Sequence, residues 1–280
     1  MFWVLVFGAD DCITLLTLTS MKQSIAYKHK KELFDIFDKL SRTQDRHRVF
    51  EDFITCAICC YHRTNLVTNL HFKDEENEAL YQQTIKGYKK EELRLFGEAL
   101  GHLSLQIDKH PYSDPLGEYY EEHFSNERLG QFFTPMEVCR AMAGMMIVDL
   151  ESPPEEKTIN DPCCGSGRLL LAYAELAPKN YFFANDISLT LAKLCTLNFF
   201  INGLQGEVCW GDSLKVEYKK VWRINMLGVG ILPVPPEQSI GFSVQASQYQ
   251  EKPSTQAKKV PIKVQHSETK PNTSEQLKLF

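Results

Sequence analysis

Residues 160–171, with the sequence NDPCCGSGRLLL, constrain the fold of this chain more than any other stretch. A short apolar segment at residues 158–159 precedes them, and an apolar run at residues 169–176 follows the Gly-Ser-Gly turn. Glycine lets the backbone turn sharply and approach a ligand closely, and a helix start presents unpaired N–H groups. The pattern therefore predicts a strand, a tight turn and a helix N-terminus that together cradle a nucleotide-like ligand.

The charge of this turn narrows the ligand class. The turn opens with Asp161 and Pro162 and lacks the G-x-G-x-x-G spacing of dinucleotide binders. A carboxylate at a strand end repels a pyrophosphate but suits a cationic or amine-bearing ligand. S-adenosylmethionine, with its ammonium and sulfonium groups, is such a ligand. An α/β oxidoreductase is the weaker alternative, because both the aspartate and the glycine spacing oppose it.

Two further acids follow predicted strands. The apolar segment 181–184 leads into Asp186, and the segment 207–210 leads into Asp212. Open α/β sheets bind ligands at the carboxyl edge of their parallel strands, where an acid about 20 residues after the glycine turn reaches a ribose hydroxyl. We therefore expect Asp161, Asp186 and Asp212 to gather at one edge, with Asp186 as the ribose ligand.

Upstream, residues 130–135 read GQFFTP and lead into an apolar segment that extends to Leu150. Thr134 is a good N-cap, Pro135 suits the first helical position, and Glu137 completes a capping box. The local pattern predicts a helix start, and by itself it requires no ligand.

Taken together, these segments resemble the methylation subunits of type I restriction-modification systems and related adenine-N6 DNA methyltransferases, over roughly residues 114–236. The resemblance implies an α/β fold: a Rossmann-like sheet of the S-adenosylmethionine-dependent methyltransferase type, preceded by a helical N-terminal domain. It also implies double-stranded DNA and a specificity subunit as partners. The cofactor contacts that it implies are Phe133, Thr134, Pro135, Asp161, Gly165, Ser166, Gly167, Asp186, Ile187, Asp212 and Ser213.

The catalytic tetrapeptide of that family departs from its pattern in this chain. In the family this tetrapeptide follows the fourth strand and consists of Asn or Asp, two prolines and an aromatic residue. The polar side chain and a proline carbonyl accept hydrogen bonds from the adenine amine, and the aromatic ring stacks on the flipped base. Here residues 230–237 read GILPVPPE. Val234 cannot accept a hydrogen bond and Glu237 cannot stack, so Pro235 and Pro236 are the remnant of a degenerate catalytic element.

The predicted sheet is also incomplete. Residues 221–229 are predicted to form the fourth strand, and no strands five to seven are expected after it. The sheet would keep an exposed edge, which proteins normally cover. Either a partner chain completes the sheet or the chain is a shortened or frameshifted relative. Two classes of function therefore remain open, an adenine-N6 DNA methyltransferase and an inactive methyltransferase-fold adaptor.

The remaining pattern divides the chain into four parts. Residues 1–20 are expected to be a non-native or disordered extension before a start at Met21, with an N-terminal strand as the alternative. Residues 21–125 show helical spacing and form the helical domain, residues 126–237 the cofactor domain, and residues 238–280 a disordered tail rich in polar residues.

A Cys-x-x-Cys-Cys sequence at residues 56–60 with His62 suggests a metal site. The apolar residues around it follow helical spacing, which favours a buried helix instead. Nine cysteines in the chain and no secretion signal favour a reducing, cytoplasmic compartment, and no segment is suited to span a membrane.

Charge and the C-terminus bear on partners. The chain has a net charge of −5, and because its C-terminal tail is basic, the remainder is more acidic than this value. An acidic protein is repelled by DNA phosphates, so binding of duplex DNA needs a local basic patch or a partner chain. Residues 28–31 or 86–90 could supply that patch, although a solvated helix face explains their lysines equally well. The last residues resemble the peptide by which bacterial proteins dock on the sliding clamp, with Gln276, Leu277, Leu279 and Phe280 as its anchors.

Overall fold

The computed structural model describes residues 9–68, 70, 73–124 and 133–241, with side chains from residue 20 onward. Within these residues six helices precede a five-stranded sheet into which two further helices are inserted. The elements are α1 (Ala9–Leu40), α2 (Arg46–Tyr61), α3 (Glu75–Thr84), α4 (Lys90–Lys109), α5 (Pro115–Phe124), α6 (Met136–Met146), β1 (Thr158–Asp161), α7 (Arg168–Leu176), β2 (Tyr181–Asp186), α8 (Leu189–Ile201), β3 (Gln205–Asp212), β4 (Glu217–Met226) and β5 (Val229–Val234).

The N-terminal segment is helical, as the spacing predicts, and its helices pack in a core that continues into the sheet. Asp45 caps α2 by accepting a hydrogen bond from the Arg48 N–H at 2.8 Å. The rings of Phe37 and Phe53 lie 5.0 Å apart in an edge-on contact, and the Phe53 ring also meets Phe96 of α4. These aromatic contacts join α1, α2 and α4 around one apolar centre.

The cysteines of the Cys-x-x-Cys-Cys sequence lie on α2. Cys56 and Cys59 are buried, and burial raises the pKa of both thiols, to about 12 and about 11. The described part of the chain contains no group of three or more His, Cys, Asp or Glu side chains that could hold a metal ion. The buried-helix interpretation thus agrees with the structure.

The sheet has the order β1-β2-β3-β4-β5. β1, β2 and β3 are parallel, and β4 and β5 form an antiparallel hairpin added beside β3. Ala184, Val208 and Trp222 are paired across three strands and share one buried face. This face packs against α7 and α8, where Phe182 meets the rings of Tyr173 and Phe199.

The predicted fourth strand is wrong in its end point, and the chain after it is strand rather than loop. β4 ends at Met226, and Leu227 and Gly228 both adopt left-handed conformations with φ of 56° and 72°. A two-residue turn with positive φ at both positions reverses the chain into a hairpin. Residues 229–234 are therefore a fifth strand, and the segment expected to be a catalytic loop is largely strand β5.

The sequence predicts an exposed edge of the sheet, and the structure shows which strand it is. β5 is covered by residues 62–66: the Arg63 N–H donates to the Ile231 carbonyl at 2.8 Å, and the Gly230 N–H donates to the Thr64 carbonyl at 2.8 Å. Among the described residues, β1 has a strand partner on one side only. The open edge is thus the first strand, next to the glycine turn.

The cap of α6 differs by one residue from the expectation. The Pro135 carbonyl accepts from the N–H groups of Val138 and Cys139, both at 3.0 Å, so Pro135 rather than Thr134 is the N-cap. The helix ends at Met146 instead of Leu150, because the chain is already extended at Ile147.

Both ends of the chain lie partly outside the described residues. α1 begins at Ala9, inside the segment expected to be a non-native or disordered extension, and that expectation stays a prediction. Residues 242–280, which include Gln276, Leu277, Leu279 and Phe280, are outside the description. No helix in the described part is long and apolar enough to cross a membrane.

The second face of the sheet is held by one buried carboxylate. Glu207 of β3 is fully buried and accepts two hydrogen bonds from Arg223, at 2.9 and 2.7 Å. The same side chain accepts from the Ser239 hydroxyl and from the N–H groups of Ile240 and Gly241. Glu207 thereby fixes the segment after β5 across the sheet.

We predict that Glu207→Ala lowers the free energy of unfolding by about 3 kcal/mol, because it leaves a largely buried guanidinium unpaired. Chemical denaturation measures the change. Glu217→Ala, at the exposed start of β4, is the control and should unfold like the wild type. Equal denaturation midpoints for the two variants would contradict the role given to Glu207.

Candidate active site

The parallel strands bring the three predicted acids to one edge of the sheet. Asp161, Asp186 and Asp212 are the last residues of β1, β2 and β3. Their strands are parallel and adjacent, so their carboxyl ends lie side by side. The position of all three acids is as the sequence predicts, but their surroundings differ.

The glycine turn lies between the ends of β1 and β2. Gly165 and Gly167 have φ of 56° and 91°, in the left-handed region that favours glycine. A Cβ at Gly167 would lie 2.9 Å from the Cys195 Sγ atom, so a side chain there would force α7 away from α8. Gly167 is also the N-cap of α7. The turn therefore needs glycine at this position for both conformation and space.

The Asp186 side chain holds this turn by accepting backbone hydrogen bonds. Its Oδ2 atom accepts from the Gly165 N–H at 2.9 Å, and its Oδ1 atom accepts from the Ser188 N–H at 2.8 Å. The side chain is almost fully buried, and this burial raises the pKa of its carboxyl. Asp186 thus fixes the shape of the turn.

Asp161 is the half-buried acid of the site. Its Oδ1 atom accepts from the Cys163 N–H at 3.0 Å. Burial raises the pKa of Asp161, and the neighbouring negative charge of Asp186 raises it further. Among the described residues neither carboxylate forms an ion pair. Two partly desolvated acids without a cation make this a place that favours a cationic ligand.

A groove of about 250 Å³ lies over the turn. Five of the predicted cofactor residues line it: Phe133, Thr134, Asp161, Gly165 and Ser166. They come from two separate segments of the chain, 133–134 and 161–166, so two of the predicted sequence segments meet in this groove.

The other predicted cofactor residues lie outside this lining. Ile187 is largely exposed, and its carbonyl accepts from the Trp210 indole N–H at 3.1 Å. Asp212 accepts from the N–H groups of Leu214 and Lys215, and these hydrogen bonds lower the pKa of its carboxyl. Pro135, Gly167, Asp186 and Ser213 are also outside the groove lining.

A buried aspartate holds the whole arrangement. Residues 114–120 resemble the helix that leads into the cofactor domain of the family, but the sequence did not indicate this role for Asp114. Asp114, the residue before α5, accepts from the Ser166 hydroxyl at 2.5 Å and from the Arg168 Nε–H at 2.8 Å. Its second oxygen accepts from the Asn198 amide at 2.8 Å and from the Gly117 N–H at 2.9 Å. One carboxylate thus ties α5, the glycine turn and α8 together.

Arg168 extends this network toward the groove. Its Nη1 atom donates to Glu121 at 2.9 Å, and its guanidinium lies 4.9 Å from the centre of the Phe133 ring. The Phe133 ring in turn is in van der Waals reach of Gly165. The arginine therefore positions one wall of the groove, and its Nη2 atom is buried without a hydrogen-bond partner among the described residues.

Pro235 and Pro236 do not reach the groove lining. β5 runs antiparallel to β4, which itself is antiparallel to β3, so the end of β5 lies at the same edge as Asp161. Pro235 nevertheless lines a different cavity, shared with α2, α3 and α8, and Glu237 is exposed to solvent. The described structure does not bring the predicted catalytic residues next to the glycine turn.

These features define an α/β domain with a Rossmann-like parallel core and an acidic groove over a glycine turn. Residues 112–231 match the family model of the N-6 DNA Methylase family. The match covers somewhat less than half of the chain, and over these residues it confirms the resemblance drawn from the motifs.

Two relatives support the same assignment. The chain is 29% identical over 123 residues to the type I restriction enzyme MjaVII methylase subunit of Methanocaldococcus jannaschii, covering 39% of this chain and 20% of that protein. It is 33% identical over 115 residues to the MjaVIII methylase subunit of the same organism, covering 36% and 18%. The chain thus spans about a fifth of the length of these curated relatives.

A solved structure, the type I restriction-modification system methyltransferase subunit from Streptococcus thermophilus, aligns with 64% of this chain and 56% of its own. The sequence identity is 13% and the TM-score 0.33, a value too low to establish a common overall arrangement.

We predict that Asp114→Ala destabilises the protein by about 3–5 kcal/mol. The substitution removes the buried carboxylate that pairs with the Arg168 guanidinium and that accepts hydrogen bonds from Ser166 and Asn198. Thermal and chemical unfolding measure this loss. Asp108→Ala, at an exposed position on α4, is the matched control. Similar unfolding of both variants would show that Asp114 does not hold the site together.

Proposed function

We propose that the chain is an S-adenosylmethionine-binding protein of the adenine-N6 DNA methyltransferase type. The observation that carries the proposal is the pair of unpaired, partly buried carboxylates, Asp161 and Asp186, at a glycine turn. A ligand with an ammonium and a sulfonium group offsets their mutual repulsion and their desolvation. When bound, this cofactor supplies an activated methyl group.

The residues that would hold the cofactor divide by chemistry. Asp161 and the N–H groups of the turn suit the methionine part, where a carboxylate meets an ammonium group. The Phe133 ring, fixed by the Arg168 guanidinium, gives the groove an apolar wall. The resemblance assigns the ribose to Asp186 and the adenine side to Asp212 and Ser213, and we retain both as parts of the proposal.

The chemical step is where this chain departs from an active enzyme. Methyl transfer to an adenine amine needs acceptors that take hydrogen bonds from that amine and a ring that stacks on the base. Val234 offers no side-chain acceptor, and Glu237 is an exposed carboxylate. We infer that the segment with Pro235 and Pro236 is a degenerate catalytic element in this chain.

The alternative function is that of an inactive methyltransferase-fold adaptor associated with DNA or a sliding clamp. The degenerate segment favours it, as does the resemblance of residues 276–280 to a clamp-binding peptide.

For either function, double-stranded DNA and a specificity subunit are the proposed partners, with a further chain proposed to complete the sheet. The eight described cysteines are all free thiols, and we propose a cytoplasmic location on that basis.

The raised pKa values of Asp161 and Asp186 give a pH dependence with a defined sign. Only the ionised carboxylates attract a cation, so we expect affinity for S-adenosylmethionine to fall with falling pH. Because both pKa values are raised, the loss should begin at a higher pH than for an aspartate with the usual pKa of about 3.9. For folding the sign is opposite, because protonation removes the cost of burying these charges.

Calorimetric titration between pH 7 and 5 measures this dependence. Asp161→Asn should flatten the pH profile, because it removes one of the two titrating groups. Asp212→Asn is the matched control: the pKa of Asp212 is lowered, so its removal should leave the slope unchanged. A wild-type affinity that does not change with pH would contradict the role of the two acids.

The decisive experiment combines cofactor titration with methyl transfer to duplex adenine. We expect micromolar binding of S-adenosylmethionine, weakened in Asp186→Ala by loss of the ribose contact and of the support for Gly165. Binding together with transfer supports the enzyme, and binding without transfer supports the adaptor. No binding to a folded chain overturns the proposed function.

A further inference from the structure

A second cavity, of about 410 Å³, lies between the helical domain and the sheet. Its walls come from α2, α3, α8 and the β4–β5 hairpin, and it shares no lining residue with the groove over the glycine turn. We call it the interdomain cavity. The chemistry of its walls differs from that of the acidic groove.

Two lysines line the interdomain cavity without an ion-pair partner among the described residues. The Lys193 Nζ atom donates to the neutral Thr55 hydroxyl at 3.0 Å. The Lys220 ammonium lies 5.2 Å from the centre of the Trp222 ring. Burial lowers the pKa of Lys193; the nearby Glu51 carboxylate opposes this shift and the charge of Lys220 reinforces it. An anion between the two ammonium groups would relieve their repulsion.

Arg63 is a third cation in the lining of this cavity, and one of its N–H groups has no hydrogen-bond acceptor. The Nε atom of Arg63 is buried and has no hydrogen-bond partner. The nearest carboxylate, Asp74, lies 3.4 Å away but accepts instead from the His62 ring at 2.9 Å and from the Asn77 N–H at 3.1 Å. A buried donor without an acceptor is costly, and a bound anion would satisfy it.

The cavity lining also has an apolar part, to which Ile58, Leu80, Trp222, Pro233 and Pro235 contribute. The lining includes the carboxylates of Asp74, which is paired with His62 and Arg63, and of Glu76. A ligand that matches both sides therefore carries an anionic group for the cations and a flat, apolar body for the remaining wall. A phosphate is the anion that best fits several separate donors, because it has about two charges and three acceptor oxygens.

We propose that the interdomain cavity binds a nucleotide, with its phosphate at Lys193, Lys220 and Arg63 and its base against Trp222 and the prolines. The nucleotide is either free or part of a single DNA strand, since both present the same phosphate and base. The proposal goes beyond the proposed function, because it requires neither the glycine turn nor methyl transfer.

The test is calorimetric titration of the full chain, without S-adenosylmethionine, with adenosine monophosphate, adenosine, inorganic phosphate and a 12-nucleotide single strand. We expect the monophosphate to bind more tightly than adenosine or phosphate alone, since only it fills both sides. Binding of the single strand alone, weakened in Lys220→Gln, supports the site with DNA as the source of the nucleotide. No binding of either nucleotide probe overturns the proposal.

The variant Lys220→Gln should weaken nucleotide binding about tenfold, the effect of losing one charge-assisted hydrogen bond. Lys219→Gln is the matched control, because Lys219 is the adjacent residue of β4, lies outside the lining and is exposed. Arg63→Gln is a second test on a different element. Equal affinity of the wild type and both cavity variants would overturn the site.

Two readouts separate a loss of the site from a loss of fold or of the proposed function. Thermal unfolding should be the same for Lys219→Gln and Lys220→Gln, which shows that both fold. S-adenosylmethionine affinity should be unchanged in Lys220→Gln, because the groove over the turn lies elsewhere. A chain that binds nucleotide but not S-adenosylmethionine would retain this inference and refute the proposed function.

Discussion

The buried carboxylate of Asp114 is the interaction on which the site depends. Its two oxygens accept four hydrogen bonds, from α5, the glycine turn, the start of α7 and α8. A buried charge is tolerated only when it is paired and its lone pairs are satisfied. Because Arg168 supplies the charge and the other donors fill the remaining positions, four elements are held in one geometry.

The contrast between Asp114 and the pair Asp161 and Asp186 separates structural from functional acids. All three are partly or fully buried, but only Asp114 has a cationic partner, Arg168. The other two accept only backbone N–H groups. Burial raises the pKa of all three carboxyls, so the difference between them is the cationic partner, and its absence at Asp161 and Asp186 supports the proposed cation site beside the glycine turn.

The features that depend on neighbouring residues could be predicted from the sequence, and those that depend on distant residues could not. The strand, turn and helix at residues 158–176 and the acids at the strand ends follow from local patterns. The hairpin turn at Leu227 was missed because leucine rarely adopts positive φ. The Asp114 network and the cover over β5 were missed because they join residues far apart in the chain, such as Asp114 and Asn198.

The two edges of the sheet differ: one is joined to the N-terminal helices by backbone hydrogen bonds, and the other is open among the described residues. Residues 62–66 bond to the β4–β5 hairpin, so α2 cannot move away from the sheet without breaking backbone hydrogen bonds. The interdomain cavity lies at this fixed junction, whereas β1, beside the acidic groove, keeps its outer backbone groups free among the described residues. Any strand that joins the described sheet must therefore join at β1. Its carboxyl end, if it runs parallel to β1, would arrive beside Asp161, at the edge where the acidic groove lies.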